Sequence, residues 1–572
     1  MVEGGRGRVR GQHRDLVFGR LPLVESARAV VESSAEGADM SQTESIRPPR
    51  VRITYPVETL EEVQQRELSF VVGVLAELSG QPETPLPALP ERKFMPVNCD
   101  VFDAYLAYLK PRLAFSVASR LGGGDAWLEV ELCFHSLADF DPDGVVQQVE
   151  PLRRLRQRGG QDEPISRQLD EILHAPEFQK LEAAWRGLHY LVSETPEDSG
   201  IKIYVLNASK QELLQDFRQA SQLERSVLFR RVQTEVYGCL GAEPFSLLVG
   251  DFFLSSGSED MELLEGLSQV AAVAHAPLIA AAGPDMFQCP QFSDLAARSD
   301  FERSFEDQRY ARWRSFRDSP EAAYMALALP RVLLRMPYST ETASGVPGNY
   351  LWGNSAYVFA TRLTRAFALH GWCAEIQGVE KGGLVTGLPA PSYVDEHGDV
   401  VTQCPLEVAL SEIHQWKLFH LGFNCLAHWK GTDKAVFFSA ATCLKPRQYV
   451  NEAAAKAAFL SARLPYVLAV SRFAHYLKVI TRDTPGGFDS PAQCEELLND
   501  WIDEYVSSDD SADQAIRASH PLREARIEVA EDPGKPGAFR AIAFLRPQFQ
   551  LEDLGVSIRL VVDLPRARLR WA

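Results

Sequence analysis

Cys404, His414, His420, Cys425 and His428 place five residues of metal-ligating type within 25 positions. Thiolate and imidazole suit zinc, but zinc sites bring such ligands in close pairs, and these spacings match no usual zinc arrangement. A metal-dependent enzyme built on them is the remote alternative. LLVGD at 247–251 has the pattern of a Walker-B strand ending in an acid. A nucleotide site also needs a phosphate loop, and no GxxxxGK followed by Ser or Thr is present. Asp251 therefore reads as a turn-forming residue after a buried strand. GxGxxG, HExxH and GxSxG are absent too. His174, His189, His275 and His475 lie in apolar helical contexts and read as satisfied core histidines rather than general bases. Paired acids such as Asp509–Asp510 fall in polar loops, where charge stays solvated. No catalytic, cofactor-binding or metal residue is assigned, and no cofactor is expected.

The chain around these residues has 572 positions, more than one hydrophobic core usually serves, so two to four domains are expected. Apolar residues make up 45% and charged residues 24%, the balance of a soluble globular protein. A net charge of −18 argues against a nucleic-acid partner, which needs basic surface to displace phosphate counterions. The nine cysteines include no CxxC pair; scattered thiols of this kind are buried and reduced, which points to a cytoplasmic protein. The longest apolar stretch, 270–283, is too short to span a membrane and is broken by His275 and Pro277.

Residues 1–47 carry no apolar period and read as a disordered amino-terminal extension; its arginines (Arg6, Arg8, Arg10, Arg14, Arg20) read as a solvated tail rather than a basic arm. Met40 would serve equally well as a start. A small module is expected over 48–158. In it Val51, Ile53 and Tyr55 alternate with polar residues as in a half-exposed strand over 50–56, and SFVVGVLAEL (69–78) reads as a buried strand. RLAFSVASRLGGGDAWLEVELCF predicts a hairpin turning at Gly122–Gly124. Asp141 and Pro142 open a helix over 142–156 with Val145, Val146, Val149 and Leu152 along one side, and Pro151 should kink or divide it. RGGQDEP marks a linker at 159–165. The large module, 166–482, alternates long helices with apolar strands, among them 201–207 and 245–253. A carboxyl-terminal module, 483–572, ends in three strands, with Val556, Ile558, Leu560 and Val562 on one face of the last. The class is α+β, a small β-rich module joined to a large mixed one.

Several of these segments resemble two families that normally occur as separate chains. RPPRVRITYPVET, LSFVVGVLAELSG, LPERKF, LKPRLAFSV and FDPDGVVQQVEPLRRL look like the small subunit of the type VI secretion contractile sheath, TssB or VipA. DEILHAPEFQKLEAAWRGLHYLV, EPFSLLVGDF, VAAVAHAPLIAAAGPDMF, NYLWGNSAYVFATRLTRAFALHGWCAEI, GGLVTGLP, HWKGTDKAVF, SRFAHYLKVI, LLNDWIDEYV and LRPQFQLEDLGVSIRLVVDLP look like its large subunit, TssC or VipB. The resemblance implies a mechanical role without an active site. Protomers would stack as a helical polymer around an inner-tube protein above a baseplate, and contraction would propel the tube. The alternative in the same family is a paralogue acting as cap, regulator or remnant.

The resemblance also supplies contacts. Its small-to-large contact falls on Val145, Val146, Val149 and Leu152. Its inter-protomer strands fall on Val51, Ile53 and Tyr55 at 50–56, on Ile542 and Phe544 at 539–546, and on Val556, Ile558, Leu560 and Val562 at 555–564; pairing of these strands within one chain is the other reading. The large subunit's opening segment, with the helix read by a recycling AAA+ unfoldase and a linker strand, has no counterpart at 159–165. That partner is therefore doubtful.

Overall fold

Apolar β-branched runs and long amphipathic helices alternate along the chain, and the fold sorts them into layers. In the computed structural model the described residues are 50–58, 63–121, 126–157, 162–298, 300–338, 350–394, 400–484, 487–488, 490–507, 520–531, 539–547 and 558–564. The predicted amino-terminal extension, the hairpin tip Gly122–Gly124, the Asp509–Asp510 loop and Val556 lie outside them. In chain order the strands are β1 (Thr54–Glu58), β2 (Val63–Glu67), β3 (Phe70–Ala76), β4 (Met95–Val97), β5 (Arg112–Ala118), β6 (Trp127–Cys133), β7 (Ile201–Asn207), β8 (Phe245–Leu254), β9 (Leu278–Ala282) and β10 (Met325–Leu329). They continue with β11 (Val332–Leu333), β12 (Trp352–Gly353), β13 (Leu384–Val385), β14 (Ser392–Val394), β15 (Val400–Thr402), β16 (Phe423–His428), β17 (Ala435–Phe437), β18 (Leu522–Glu531), β19 (Phe539–Pro547) and β20 (Ile558–Asp563).

One nine-stranded sheet, in the order β13-β17-β16-β10-β9-β8-β3-β7-β4, organises the molecule. Its six inner strands from β16 to β7 are parallel, while β4, β17 and β13 are antiparallel additions at the edges. A parallel sheet must be covered on both faces, and continuous apolar strands follow from that. All seven residues of β3 are buried. Phe70, Val72, Val74 and Ala76 enter a core shared with helices Pro176–Ser193 and Ser355–His370; Val71 and Leu75 enter the opposite core, shared with helices Ser258–Ala274 and Leu464–Asp483.

The mixed helix-and-sheet class is as expected, but the modules are not independent. β3, from the small module, lies between β7 and β8 of the large one. Asn207 reinforces the joint, accepting from Leu78 N at 3.0 Å and donating to Ser79 Oγ at 2.7 Å. Pro49–Ala572 is one compact unit. The expected linker 159–165 is already helical from Asp162, the start of helix Asp162–Leu173. Acidic residues favour a helix amino terminus, and Pro164 is tolerated in the first turn, where its missing N–H has no helical partner. The 142–156 helix is divided as Pro151 requires: helix Pro142–Gln148 ends at Val149, whose ψ is 103°, and helix Glu150–Gln157 follows.

Candidate functional site

The features that could do work here are surfaces between segments. Val51, Ile53 and Tyr55 are all buried, their alternation matching the sequence pattern. The strand begins only at Thr54, however, because residues 51–53 bond to a helix end and to side chains rather than to a ladder. On one side β1 pairs antiparallel with β2, Thr54 opposite Glu67. On the other, Val51 N donates to His370 O at 2.8 Å. Ile53 O accepts from the Tyr476 hydroxyl. Thr54 N donates to Tyr505 Oη at 3.0 Å, and Thr54 O accepts from Trp501 Nε1 at 2.8 Å and from Tyr505 Oη at 3.0 Å. Tyr476 Oη also accepts from Leu68 N at 3.0 Å, and Arg472 donates to Leu68 O and Ser69 O.

Two features let the strand lie this close. Gly371 ends helix Ser355–His370 with φ +75°, and a Cβ there would stand 1.9 Å from Val51 O, so no other residue fits. The rings of Tyr476, Trp501 and Tyr505 pack in series, with centroids 5.7 and 5.5 Å apart, and their polar atoms all point at the strand. Sequence reading missed this cradle. Trp501 and Tyr505, four apart in LLNDWIDEYV, were its only local signal.

The carboxyl-terminal strands form a separate antiparallel sheet, β18-β19-β20. β19 is central, so both its edges are used. Ala541, Ala543 and Leu545 face the core, while Ile542 and Phe544 point to the half-buried side. Leu560 and Val562 are buried, and Ile558 pairs with Leu545 through its backbone. The outer edge of β18 is blunted by helix Pro491–Asp503: Asn499 donates to Ile527 O at 2.8 Å and accepts from Ile527 N at 2.9 Å, and Glu495 accepts from Val529 N at 2.8 Å. Among the described residues no strand pairs with the outer edge of β20.

Val145, Val146, Val149 and Leu152 are buried together, in one core cluster with Ile172, Leu173, Phe178 and Leu181 from beyond residue 159. A charged network closes the same joint. Fully buried Glu182 accepts from Arg186 Nε at 2.7 Å and from Arg335 Nε at 2.7 Å and Nη2 at 3.3 Å. Asp141 accepts from Arg186 Nη2 at 2.8 Å and from the Tyr338 hydroxyl at 2.9 Å. Asp141 thus stands at the helix amino terminus as predicted, but its carboxylate is drawn to Arg186 and makes no capping bond.

The residues first singled out for chemistry disperse. His414 bonds Arg298 O at 2.6 Å, His420 bonds Trp416 O at 2.8 Å and His428 bonds Thr432 O at 2.9 Å, while Cys425 is buried with its thiol pushed up by burial. Among the described residues no group of three or more His, Cys, Asp or Glu is arranged to hold a metal ion. Asp251 is not in a turn. β8 runs on to Leu254, the register against β9 slips between Val249 and Phe253, and Asp251 accepts from Asn354 Nδ2 at 3.1 Å. Desolvation raises its carboxyl to about 6, against that hydrogen bond. His275 and His475 are buried, on Tyr324 Oη at 3.0 Å and Ala274 O at 3.1 Å. His189 is instead exposed, on the outer side of its helix, and His174 is half-buried in the turn between helices Asp162–Leu173 and Pro176–Ser193. Among the described residues no helix is long and apolar enough to cross a membrane.

Comparison with known proteins agrees with the way the segments join. Residues 43–175 match the family described as "Type VI secretion system, VipA, VC_A0107 or Hcp2". Residues 160–444 match "EvpB/VC_A0108, tail sheath N-terminal domain", and 453–564 match "EvpB/VC_A0108, tail sheath gpW/gp25-like domain". The first two matches overlap on the Asp162–Leu173 helix. The type VI secretion system sheath protein TssC1 of Pseudomonas aeruginosa is 40% identical over 422 residues, which are 71% of this chain and 85% of that protein. Sheath protein TssB1 of the same organism is 41% identical over 109 residues, 19% of this chain, and only 63% of its own length is spanned. Among solved structures, the VipA-N2/VipB contracted sheath is similar at 25% identity with a TM-score of 0.13, covering 26% of this chain and 91% of that one. The contracted helical sheath of the anti-feeding prophage is similar at 11% identity with a TM-score of 0.30, covering 94% and 98%. With a small-subunit match running straight into a large-subunit match, and most of a 40%-identical sheath protein spanned, this chain belongs to the type VI secretion contractile-sheath family, as a structural sheath subunit in which the small and large partners are fused.

Proposed function

We propose that one copy of this chain is a complete protomer. Copies stack in the cytoplasm as a helical tube around an inner-tube protein, on a baseplate, and contraction of that tube drives the inner one outward. The observation that carries this reading is the position of β3: the small-subunit-like segment supplies an interior strand of the large segment's sheet, so the two act as one rigid piece. Work is stored as the difference between two packings of identical pieces, which calls for no catalytic residue. Val145, Val146, Val149 and Leu152 hold the small segment's helices in place during the stroke.

Strand exchange would tie neighbouring copies. The outer edge of β20 suits the addition of a strand, since among the described residues no strand pairs with its outward N–H and C=O groups. Residues 50–56 reach a neighbour only by leaving Tyr476, Trp501 and Tyr505, so exchange trades one set of backbone bonds for another. The test is electron microscopy of the full chain co-expressed with its inner-tube protein. Tubes whose wall contains this single polypeptide are expected; monodisperse particles and bare inner tubes would overturn the reading.

A further inference from the structure

Helix Ser355–His370 presents Arg362, Arg365, Ala366, Leu369 and His370 along one side, at helical spacings of three and four. That side forms one wall of an open groove of about 240 Å³, whose other wall is Gly382, Leu384 and Thr386. Arg362 is 3% exposed. Its guanidinium donates to Leu384 O and to Thr361 Oγ1, from Nη2 at 3.0 Å and from Nε at 3.3 Å, and all of these acceptors are neutral. A guanidinium carries five N–H donors in a rigid fork, so about two remain without an acceptor among the described residues. Burial lowers its pKa, as expected for a cation held out of water without a carboxylate on it.

Arg365 lies one turn further along and is half-exposed. Its nearest carboxylate, Glu194, is 3.9 Å away, too far for a hydrogen bond. Glu375 faces His370 at 3.5 Å at the far end of the groove. Elsewhere the fold brings arginines onto carboxylates closely, as with Arg335 on Glu182 at 2.7 Å and Arg482 on Asp483 at 2.7 Å. Two guanidiniums with unused donors, side by side in a groove, make the arrangement that recognises a planar or tetrahedral oxyanion.

We propose that this groove is an oxyanion-binding site, in which Arg362 and Arg365 together grip a carboxylate or phosphate group. Arg362 is fixed by Thr361 and Leu384 and acts as the preset half of the clamp; Arg365, held only by its long ion pair to Glu194, turns in to close it. The anion comes either from solution or from an acidic side chain of a second copy, and one experiment separates the two.

Thermal unfolding of the full chain is followed against inorganic phosphate, with sodium chloride at matched ionic strength as reference. A ligand that binds only the folded state raises the midpoint in a saturable way. The wild type should show such a rise. Arg365→Gln, on an exposed side chain whose one ion pair among the described residues is the long one to Glu194, should fold normally and need about tenfold more phosphate or better for the same rise. Arg365→Lys, keeping the charge but not the fork, should fall between. Equal phosphate responses in wild type and Arg365→Gln, or none in either, would overturn the proposal. In the second arm, phosphate is added to assembling protein. A fall in tube yield that Arg365→Gln reproduces without phosphate identifies an acidic side chain of another copy as the occupant; unchanged or raised yield identifies a free anion.

Discussion

Removing one oxygen from the cradle around residues 50–56 tests whether it holds the strand. In Tyr476→Phe the ring stays, so packing against Tyr55 and Trp501 is kept, and no sizeable cavity opens. What is lost is a donor to Ile53 O and an acceptor for Leu68 N and Arg472 Nη2, all in a buried setting. Leaving a buried backbone group without a partner costs about 1–3 kcal/mol each. Arg472 still holds Leu68 O, which limits the damage. A total of about 3 kcal/mol is expected, felt locally as opening of 50–68 rather than as global unfolding. Hydrogen exchange with mass spectrometry reads this directly. At about 1.4 kcal/mol per decade, amides of 51–58 and 63–68 should exchange roughly a hundredfold faster, while those of β7 and β9 stay as protected as before. Tyr449→Phe, altering an exposed phenol, serves as the control. If exchange in 50–68 is the same in Tyr476→Phe and wild type, the hydroxyl is not what pins the strand and the cradle argument fails.

Three further outcomes are expected. Val149→Asp should lose several kcal/mol and abolish tube formation, since a charge enters the apolar joint between the segments; the check is soluble yield and filament count. Glu182→Ala should destabilise by about 3–5 kcal/mol in a chemical denaturation series, because Arg335 is left buried without its carboxylate. Stability should fall with acid. Burial, with the charge of Lys478 nearby, lowers His475 to about 3, so below about pH 6.5 the unfolded chain binds more protons than the folded one, and the loss grows as pH drops toward 3. Lys478, lowered by burial to about 7 from an ordinary 10.5, acts in the same direction between those values. Unfolding midpoints between pH 5 and 8 should therefore decline on the acid side, and His475→Gln should flatten that decline.

Periodicity made the local elements legible. The run 69–78 reads as a buried strand, and Pro151 as a kink or break in its helix. What periodicity cannot name is the partner. β3 pairs with strands about 130 and 175 residues away, and nothing in its own sequence distinguishes that sheet from one confined to the small module. The cradle was hidden for a related reason: Tyr476, Trp501 and Tyr505 read as core aromatics, and only the tertiary fold shows that their polar atoms replace a neighbouring strand. Asp251 was misread because an acid after an apolar run usually marks a turn, whereas here a register slip and Asn354 accommodate it inside the strand. His189 was misplaced because its helix is apolar on one side only, and His174 because it falls in the turn between two helices.

The position of β3 also sets a timetable for synthesis. The strand leaves the ribosome complete at Ala76, but β7 ends at Asn207 and β8 at Leu254. At roughly 5–20 residues per second, about 10–35 s pass before both neighbours exist. During that interval a seven-residue apolar strand, needing cover on both faces and both edges, is held by a nascent chain with nothing to pair it. Translation speed over residues 77–254 and chaperone occupancy on that strand should therefore govern how much of this protein reaches its native form. In a two-chain arrangement the same strand would wait for a diffusing partner; here the wait ends when the ribosome has moved far enough.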